Sequence, residues 1–338
     1  GFKGSWIALC LLRLGAKVYG YSLKPKHKES IFVLTKLDKK ITKSTIANIL
    51  NLNTLKKEIS KSNASIVIHM AAQSLVRDSY QQPINTFTTN IIGTANVLEA
   101  ARYSKSVKAI INVTTDKCYE NYERNRAYKE DDRLGGHDPY SSSKACAELI
   151  TTAYRKSFFA EKGINIASVR AGNVIGGGDC ANDRLIPDFF KALNKNEILQ
   201  IRSPNSIRPW QHVLDPVFGY LVLGEKLINE KDKYAEAWNF GPSENKIKTV
   251  SYIVKYLSKK FKRSKFVFEK KKQPYEANLL KLDSSKSKSR LRWKNIWKLE
   301  TALDKTVEWY NAQKAKRDMF SITLSQINSY ISDIKIYK

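Results

Sequence analysis

Residues 109–117 read AIINVTTDK, an apolar-rich run of five that passes directly into two hydroxyls, a carboxylate and an ammonium. A short run bounded by polar residues suits a strand buried on both faces of a parallel sheet. Parallel α/β sheets collect their ligands at the carboxyl ends of the strands, so Thr114, Thr115, Asp116 and Lys117 fall at a candidate site. Working outward, residues 65–70 (SIVIHM) and 164–170 make similar runs. Between them, Pro83 opens a pattern in which Phe87, Ile91, Ala95 and Leu98 recur at roughly helical spacing, and a second helix covers about 141–162. Strands alternating with helices predict right-handed βαβ units and a doubly wound parallel sheet, an α/β fold.

The amino-terminal stretch continues the theme. Residues 5–14 read as a helix stopped by Gly15, and 17–21 as a short strand. The opening Gly1-Phe2-Lys3-Gly4 places two glycines three apart at a helix start, where backbone N–H groups and the helix dipole favour a pyrophosphate. The full dinucleotide fingerprint has a strand and another glycine ahead of these, so the chain reads as cut inside the motif, with the first strand truncated. From about Gly172 the texture changes to loops with Gly176-Gly177-Gly178, Pro204, Pro209, Pro216 and Pro242, which predicts a smaller carboxyl-terminal α/β domain. The tail 315–338 reads as a packed helix carrying Leu324, Ile327 and Ile331, capped by Ser321 or Thr323.

Composition sets bounds. At 42% hydrophobic and 27% charged residues the chain is an ordinary globular one, which excludes disorder and collagen-like repeats. The apolar run 6–12 is far short of the ~20 residues that span a bilayer, and no secretory leader is visible. The formal charge is +27, a field that attracts polyanions. The lysines are spread along the whole chain, so the charge reads as a solvated surface, and neither nucleic acid nor a membrane is expected as a partner. Cys10, Cys118, Cys146 and Cys180 are widely spaced without a CxxC, and His27, His69, His137 and His212 form no HxxxH. No metal site is expected, and the cysteines suit a reducing cytoplasm.

Tyr140 and Lys144 stand one helical turn apart, so a cation can stabilise the phenolate and make the tyrosine a base closer to neutral pH. Spacing alone is weak evidence, because Tyr256/Lys260 and Tyr310/Lys314 repeat it. Tyr140 differs in context: it follows the loop GGHDP (135–139) and lies beyond the AIINV strand, whereas the later two read as surface pairs.

The order and spacing of Gly1-x-x-Gly4, Ala71-Ala72-Gln73, Thr115-Asp116-Lys117, Tyr140-x-x-x-Lys144 and Arg170-Ala-Gly-Asn173 resemble the extended short-chain dehydrogenase/reductases that act on nucleotide sugars. TTDKCYEN (114–121), RAGNVIGGGD (170–179), DRLIPDF (183–189), IRPWQHV (207–213), WNFGP (238–242) and EANLLKLD (276–283) look like the CDP-glucose 4,6-dehydratase branch. The resemblance implies a Rossmann-type NAD-binding domain over 1–172 plus about 210–240. A nucleotide-sugar domain over about 173–209 plus 241–316 and a helical tail over 317–338 follow from the same match. It implies a cytoplasmic homodimeric lyase that oxidises C4 of CDP-D-glucose, loses water across C5–C6 and returns the hydride to C6.

By the same resemblance Tyr140 takes the C4 proton, Lys144 lowers the phenol's pKa and holds the nicotinamide ribose, and Thr115 hydrogen-bonds the same hydroxyl. Asp116 protonates the departing C6 oxygen, which needs a partly buried carboxyl. The C5 proton goes to Lys117, to Tyr140 or to water. Gly1, Gly4, Ser22, Asn48, Ile49, Ala71, Ala72, Gln73 and Asn90 fall at cofactor positions, with Tyr140 and Lys144. Asn173, Arg184, Arg208 and Glu276 match positions that hold the nucleotide diphosphate and its ribose. The sequence departs from the pattern at Ser22, where NAD-binding relatives carry Asp, and Lys24, Lys26 and His27 follow it, which suits a 2′-phosphate as well. A 4-epimerase or a dehydratase for another nucleotide hexose is the nearest alternative. A catalytically inactive nucleotide- or nucleic-acid-binding protein is the alternative from a different class.

Overall fold

The chain folds around parallel strands, in a computed structural model that describes residues 1–123, 126–242, 248–269 and 279–336. In chain order the strands are β1 (Tyr19–Ser22), β2 (Lys43–Ile46), β3 (Ile66–His69), β4 (Ala109–Val113), β5 (Asn165–Ala171), β6 (Val174–Ile175), β7 (Ile198–Ile201), β8 (Ile207–Arg208), β9 (Gln211–His212), β10 (Ala237–Phe240), β11 (Lys248–Thr249) and β12 (Lys265–Phe268). The central sheet runs β10-β5-β4-β3, all parallel, with β4 in the middle and every residue of it buried. β1 and β2 form a separate parallel pair. The AIINV run is therefore the interior strand its composition predicts.

Side chains alternate across β4 and β5, and each face has its own core. Ile110 and Ile166 pack with Leu98 and Phe159 on one face. Ile111, Val113, Ala167 and Val169 face the opening helix Phe2–Arg13 and the helix Leu214–Asn229, in a core that also buries Trp6, Tyr220, Trp238 and Trp309. A further core, with Phe189, Phe190, Ile253 and Leu257, lies under the helices Leu185–Lys195 and Val250–Lys260. The helix Leu299–Lys314 serves both, giving Trp309 to the first and Leu303 to the second.

Several expectations change in detail. The helix expected from Pro83 is α-helical over Pro83–Phe87 and Gly93–Arg102 but passes through a π turn at Thr88–Ile92. The π turn inserts one residue and rotates the phase. The buried stripe is consequently Thr86, Asn90, Gly93, Thr94, Val97 and Leu98, so of the four expected positions Leu98 is buried, whereas Phe87, Ile91 and Ala95 are only partly covered. The tail helix Met319–Ile336 forms, but Asp318 caps it, accepting from the Phe320 and Ser321 N–H groups at 3.3 and 3.1 Å. Thr323, one of the expected caps, instead lies buried inside the helix, where its hydroxyl accepts from Trp309 Nε1 at 3.0 Å.

Candidate active site

At the end of β4 the chain turns into a short 3-10 segment, Asp116–Cys118, and Thr115 and Asp116 are both buried. Thr115 Oγ1 accepts from the Lys117 N–H at 3.3 Å and donates to Asp116 Oδ1 at 3.0 Å. Asp116 Oδ2 accepts no hydrogen bond among the described residues. It lies 3.1 Å from where a Cβ on Gly172 would sit, and that Cβ would also come within 2.4 Å of Pro209 Cγ, so only glycine fits behind the carboxyl. Burial pushes the Asp116 pKa up, against the pull of Lys117, the Thr115 hydroxyl, Arg208 and Lys3. A carboxyl raised in this way and with one free oxygen is suited to donate a proton.

The helix Pro139–Tyr154 brings the second half of the site. Asp138 caps it, accepting from the Ser141 N–H at 3.0 Å, and Pro139 fills the first turn. Tyr140 and Lys144 are both buried against the end of β4. Lys144 Nζ donates to the Val113 carbonyl at 3.2 Å. Burial pushes the Tyr140 phenol up to about 12, and the neighbouring Thr115 hydroxyl and Arg184 pull it back while Asp116 and Asp138 push it further. Burial takes the Lys144 ammonium down to about 8, and Glu148 and Cys118 oppose that fall. The leading pulls on the phenol are the Thr115 hydroxyl and Arg184.

The other two Tyr-x-x-x-Lys pairs differ. Tyr256 and Lys260 share the Asp304 carboxylate, each at 2.9 Å, on an outer helix face. Tyr310 is not a surface residue. Its ring stacks on Phe190 with centroids 3.8 Å apart, and its hydroxyl donates to the Asp179 carbonyl at 2.9 Å.

The expected cofactor positions fall at the start of the opening helix and just past the carboxyl ends of β1, β2 and β3. The first intrahelical bond of the opening helix runs from the Ser5 N–H to the Gly1 carbonyl, which leaves the N–H groups of Phe2, Lys3 and Gly4 unbonded within the helix. Side chains leave the Gly4 approach open: only Met70 Sδ, at 4.0 Å, faces a Cβ placed there. Asn90 grips the loop after β3. Its Oδ1 accepts from the Gln73 N–H at 2.9 Å, and its Nδ2 donates to the Gln73 carbonyl at 2.9 Å and to Ser143 Oγ at 2.8 Å. Ala71 and Ala72 sit half-buried in that loop. Ile49 packs where a Cβ on Gly93 would lie, 2.4 Å from its Cδ1, so the helix can approach only at a glycine. The Asn48 carbonyl accepts from the Tyr21 hydroxyl at 2.9 Å, and Ser22 ends β1 half-exposed. A dinucleotide fits this donor set: free N–H groups for a pyrophosphate, then an apolar and amide-lined edge.

On the opposite side, Arg184 pairs with Asp179 at 2.8 Å and reaches Ser74 Oγ at 3.3 Å, and its charge is felt at Tyr140 and Lys3. Arg208 is buried close enough to Asp116 to act on its charge. The Asn173 carbonyl accepts from the Gln211 N–H at 3.2 Å, between β5 and β9. Glu276 lies outside the described residues. Two groups escaped sequence reasoning. Lys3, in the first helical turn, shares the electrostatic field of Lys144, Arg184 and Asp116, and burial with those cations takes it down to about 8. Its place inside Gly1-x-x-Gly4 was the signal available. Glu148 is fully buried one turn beyond Lys144 and pairs with Arg170 at 2.9 Å. Among the described residues no group of three or more His, Cys, Asp or Glu could hold a metal ion, and no helix is long and apolar enough to cross a membrane.

The sequence pattern of the GDP-mannose 4,6 dehydratase family matches residues 1–306. CDP-glucose 4,6-dehydratase of Salmonella typhimurium strain LT2 is 44% identical over 338 residues, covering 98% of this chain and 94% of its own. Among solved structures, UDP-glucose 4-epimerase from Thermotoga maritima with UDP-glucose superposes with a TM-score of 0.81 at 23% identity, covering 93% of this chain and 96% of that one. dTDP-glucose 4,6-dehydratase from Bacillus anthracis in complex with NAD gives 0.75 at 21% identity, covering 95% and 96%. Those two structures share the Rossmann-type fold. On the strength of the sequence matches, the chain belongs to the GDP-mannose 4,6 dehydratase family, among the extended short-chain dehydrogenase/reductases that its motifs resemble.

Proposed function

We propose that this protein is a lyase that converts CDP-D-glucose to CDP-4-keto-6-deoxy-D-glucose and water. The 44% identity to the Salmonella dehydratase over nearly the whole of both chains supports the substrate. One observation carries the chemistry: Thr115, Asp116, Tyr140 and Lys144 are buried together at the carboxyl end of β4, and Asp116 keeps an oxygen free. NAD would be held along Gly1, Gly4, Ala71–Gln73, Ile49 and Asn48, with Lys144 at its ribose, and would supply reversible hydride transfer. Tyr140 takes the proton from the C4 hydroxyl beside Thr115. Asp116 gives a proton to the C6 oxygen, which leaves as water while the C5 proton passes to Lys117, to Tyr140 or to a water, and C5 regains a proton when C6 is reduced. Arg184 and Arg208, with Asn173 and Glu276, bind the nucleotide diphosphate, for which Arg supplies a planar two-point donor. A 4-epimerase of the same fold has no water to expel, so the buried Asp116 separates the two readings.

The core around Phe189, Phe190, Ile253 and Leu257 supports a sugar-nucleotide domain over about 173–209 plus 241–316 beside a cofactor domain over 1–172 plus about 210–240, but Leu291, Trp293, Trp297, Trp309 and Ala312 of the later segment pack in the cofactor domain's core. The exposed apolar side chains Ile84, Ile92 and Leu149, at 75%, 52% and 58% exposure, support a homodimer that buries the helices over 83–102 and 139–159. Four unpaired cysteines are in keeping with a cytoplasmic setting. The test is incubation with CDP-glucose and NAD, followed by assay for a 4-keto sugar. A marked preference for UDP- or dTDP-glucose would overturn the substrate assignment.

A further inference from the structure

Glu148 takes no part in the chemistry above, yet it is among the most completely satisfied charges in the molecule. It lies one turn beyond Lys144 on the helix Pro139–Tyr154, and its side chain and that of Arg170 are 2% and 3% exposed. Arg170 clamps it with two parallel bonds, Nε to Oε1 and Nη2 to Oε2, both 2.9 Å. Ser168 Oγ donates to Oε2 at 2.6 Å, and Thr114 Oγ1 donates to Oε1. Four donors fill the four acceptor positions of a carboxylate. Arg170 is anchored in turn by the Tyr119 hydroxyl at 2.8 Å and the Glu130 carbonyl at 3.0 Å. The cluster thus joins β5, the last turn of β4 and the helix that carries Tyr140 and Lys144.

The surroundings of Lys144 leave it short of negative charge. Lys3 of the opening helix and His69 of β3 both feel its field, and burial keeps His69 neutral, with its pKa down to about 3. The Cys118 thiol beyond β4 stays protonated because burial raises its pKa. Arg155, on the same side of the helix as Glu148, adds a further cation behind it. Glu148 itself remains ionised, because Arg170 and the two hydroxyls outweigh the push from burial. Among the described residues it is the one ionised acid that acts on the Lys144 ammonium.

We propose that Glu148 is a positioning residue for the Tyr140/Lys144 pair: fixed by Arg170, Ser168 and Thr114, its carboxylate keeps the Lys144 side chain an ammonium, which the Val113 carbonyl holds at the end of β4. Arg170 holds the carboxylate in place and so acts on Lys144 through it. Replacing an acid and its base together is often tolerated in a protein interior, whereas removing one strands the other. That difference separates a charge-setting role from a packing role.

The inference rests on the dinucleotide half of the proposed function and needs no sugar for its test. NADH, with a neutral ring, is titrated by calorimetry from pH 6 to 10 into the wild type, Glu148→Gln, Glu148→Asp and the double variant Glu148→Gln with Arg170→Met. In the wild type, affinity falls as the pH rises through about 8, where both Lys144 and Lys3 lose their charge, and only the Lys144 part responds to Glu148. In Glu148→Gln and in the double variant that part of the fall is displaced by about one unit to lower pH, because the anion that favours the ammonium is gone. Glu148→Asp keeps the charge and stays close to the wild-type profile. A double variant with the wild-type profile would reduce Glu148 to a packing partner of Arg170 and overturn the proposal. So would wild-type affinity that is flat from pH 6 to 10. A protein that shows the displaced profile but ignores CDP-glucose would leave this inference standing and overturn the dehydratase reading instead.

Discussion

The helices Pro139–Tyr154 and Val250–Lys260 each carry tyrosine four residues ahead of lysine, and the two pairs behave as different chemical objects. In the first, both side chains are buried at a strand end, and removal from water moves the phenol up to about 12 and the ammonium down to about 8. In the second, Asp304 sits between the two groups in contact with solvent, and the lysine pKa is raised by its hydrogen bond to that acid. Identical spacing gives opposite shifts on lysine, because desolvation dominates one site and ion pairing the other. The lesson is that the motif acquires meaning from the strand it faces.

The sharpest way to break this comparison is Tyr140→Phe, which leaves no group to take the C4 proton. Turnover of CDP-glucose should fall by about three orders of magnitude, in line with the loss of a positioned base and the orientation it supplies. A 4-keto assay checks it, and a loss below tenfold would break the assignment. Lys144→Met should cost about a hundredfold in the same assay while making the protein more stable at neutral pH. The sign follows from linkage. The folded pKa of about 8 lies below the ordinary 10.5, so burial penalises the ammonium most below pH 8 and the penalty is relieved as the pH rises from 8 to 10.5. The variant's advantage in urea unfolding should therefore shrink over that window.

Next comes Asn90→Leu, which bares the Gln73 N–H and carbonyl and Ser143 Oγ. It should destabilise the fold by about 2–4 kcal/mol, the cost of stranding buried polar groups, and weaken dinucleotide binding. Thermal unfolding with and without NAD measures both. At the small end, Tyr256→Phe and Lys260→Met should leave turnover within about twofold and stability within about 1 kcal/mol, as for exposed pairs generally. A large loss in either would erase the distinction between the two helices.

Much of this was legible in the sequence. AIINV announced a central strand because five successive residues can be buried on both faces, and TTDK after it marked the strand end where the proposed site is drawn. What escaped depends on contacts distant in sequence or on backbone phase. Asn90 stands mid-helix as a poor helix former, yet nothing local reveals the π turn that rotates it inward to clasp Gln73. Glu148 looks like any solvated acid four residues past a lysine until β5 brings Arg170 against it. Arg170 itself stood inside a recognised string, but its partner lay 22 residues upstream. The tail cap was missed for a simpler reason: three short polar side chains, Asp318, Ser321 and Thr323, all suit a cap, and only the actual helix start selects Asp318.

The Asn90 clasp also limits what evolution can do here. One amide offers an acceptor to one peptide and donors to a second peptide group and a hydroxyl, a combination that neither Asp, which lacks the donors, nor Leu, which lacks both, can reproduce. The loop after β3 and the helix that carries Tyr140 are therefore locked into one unit, so a change in either is transmitted to the other.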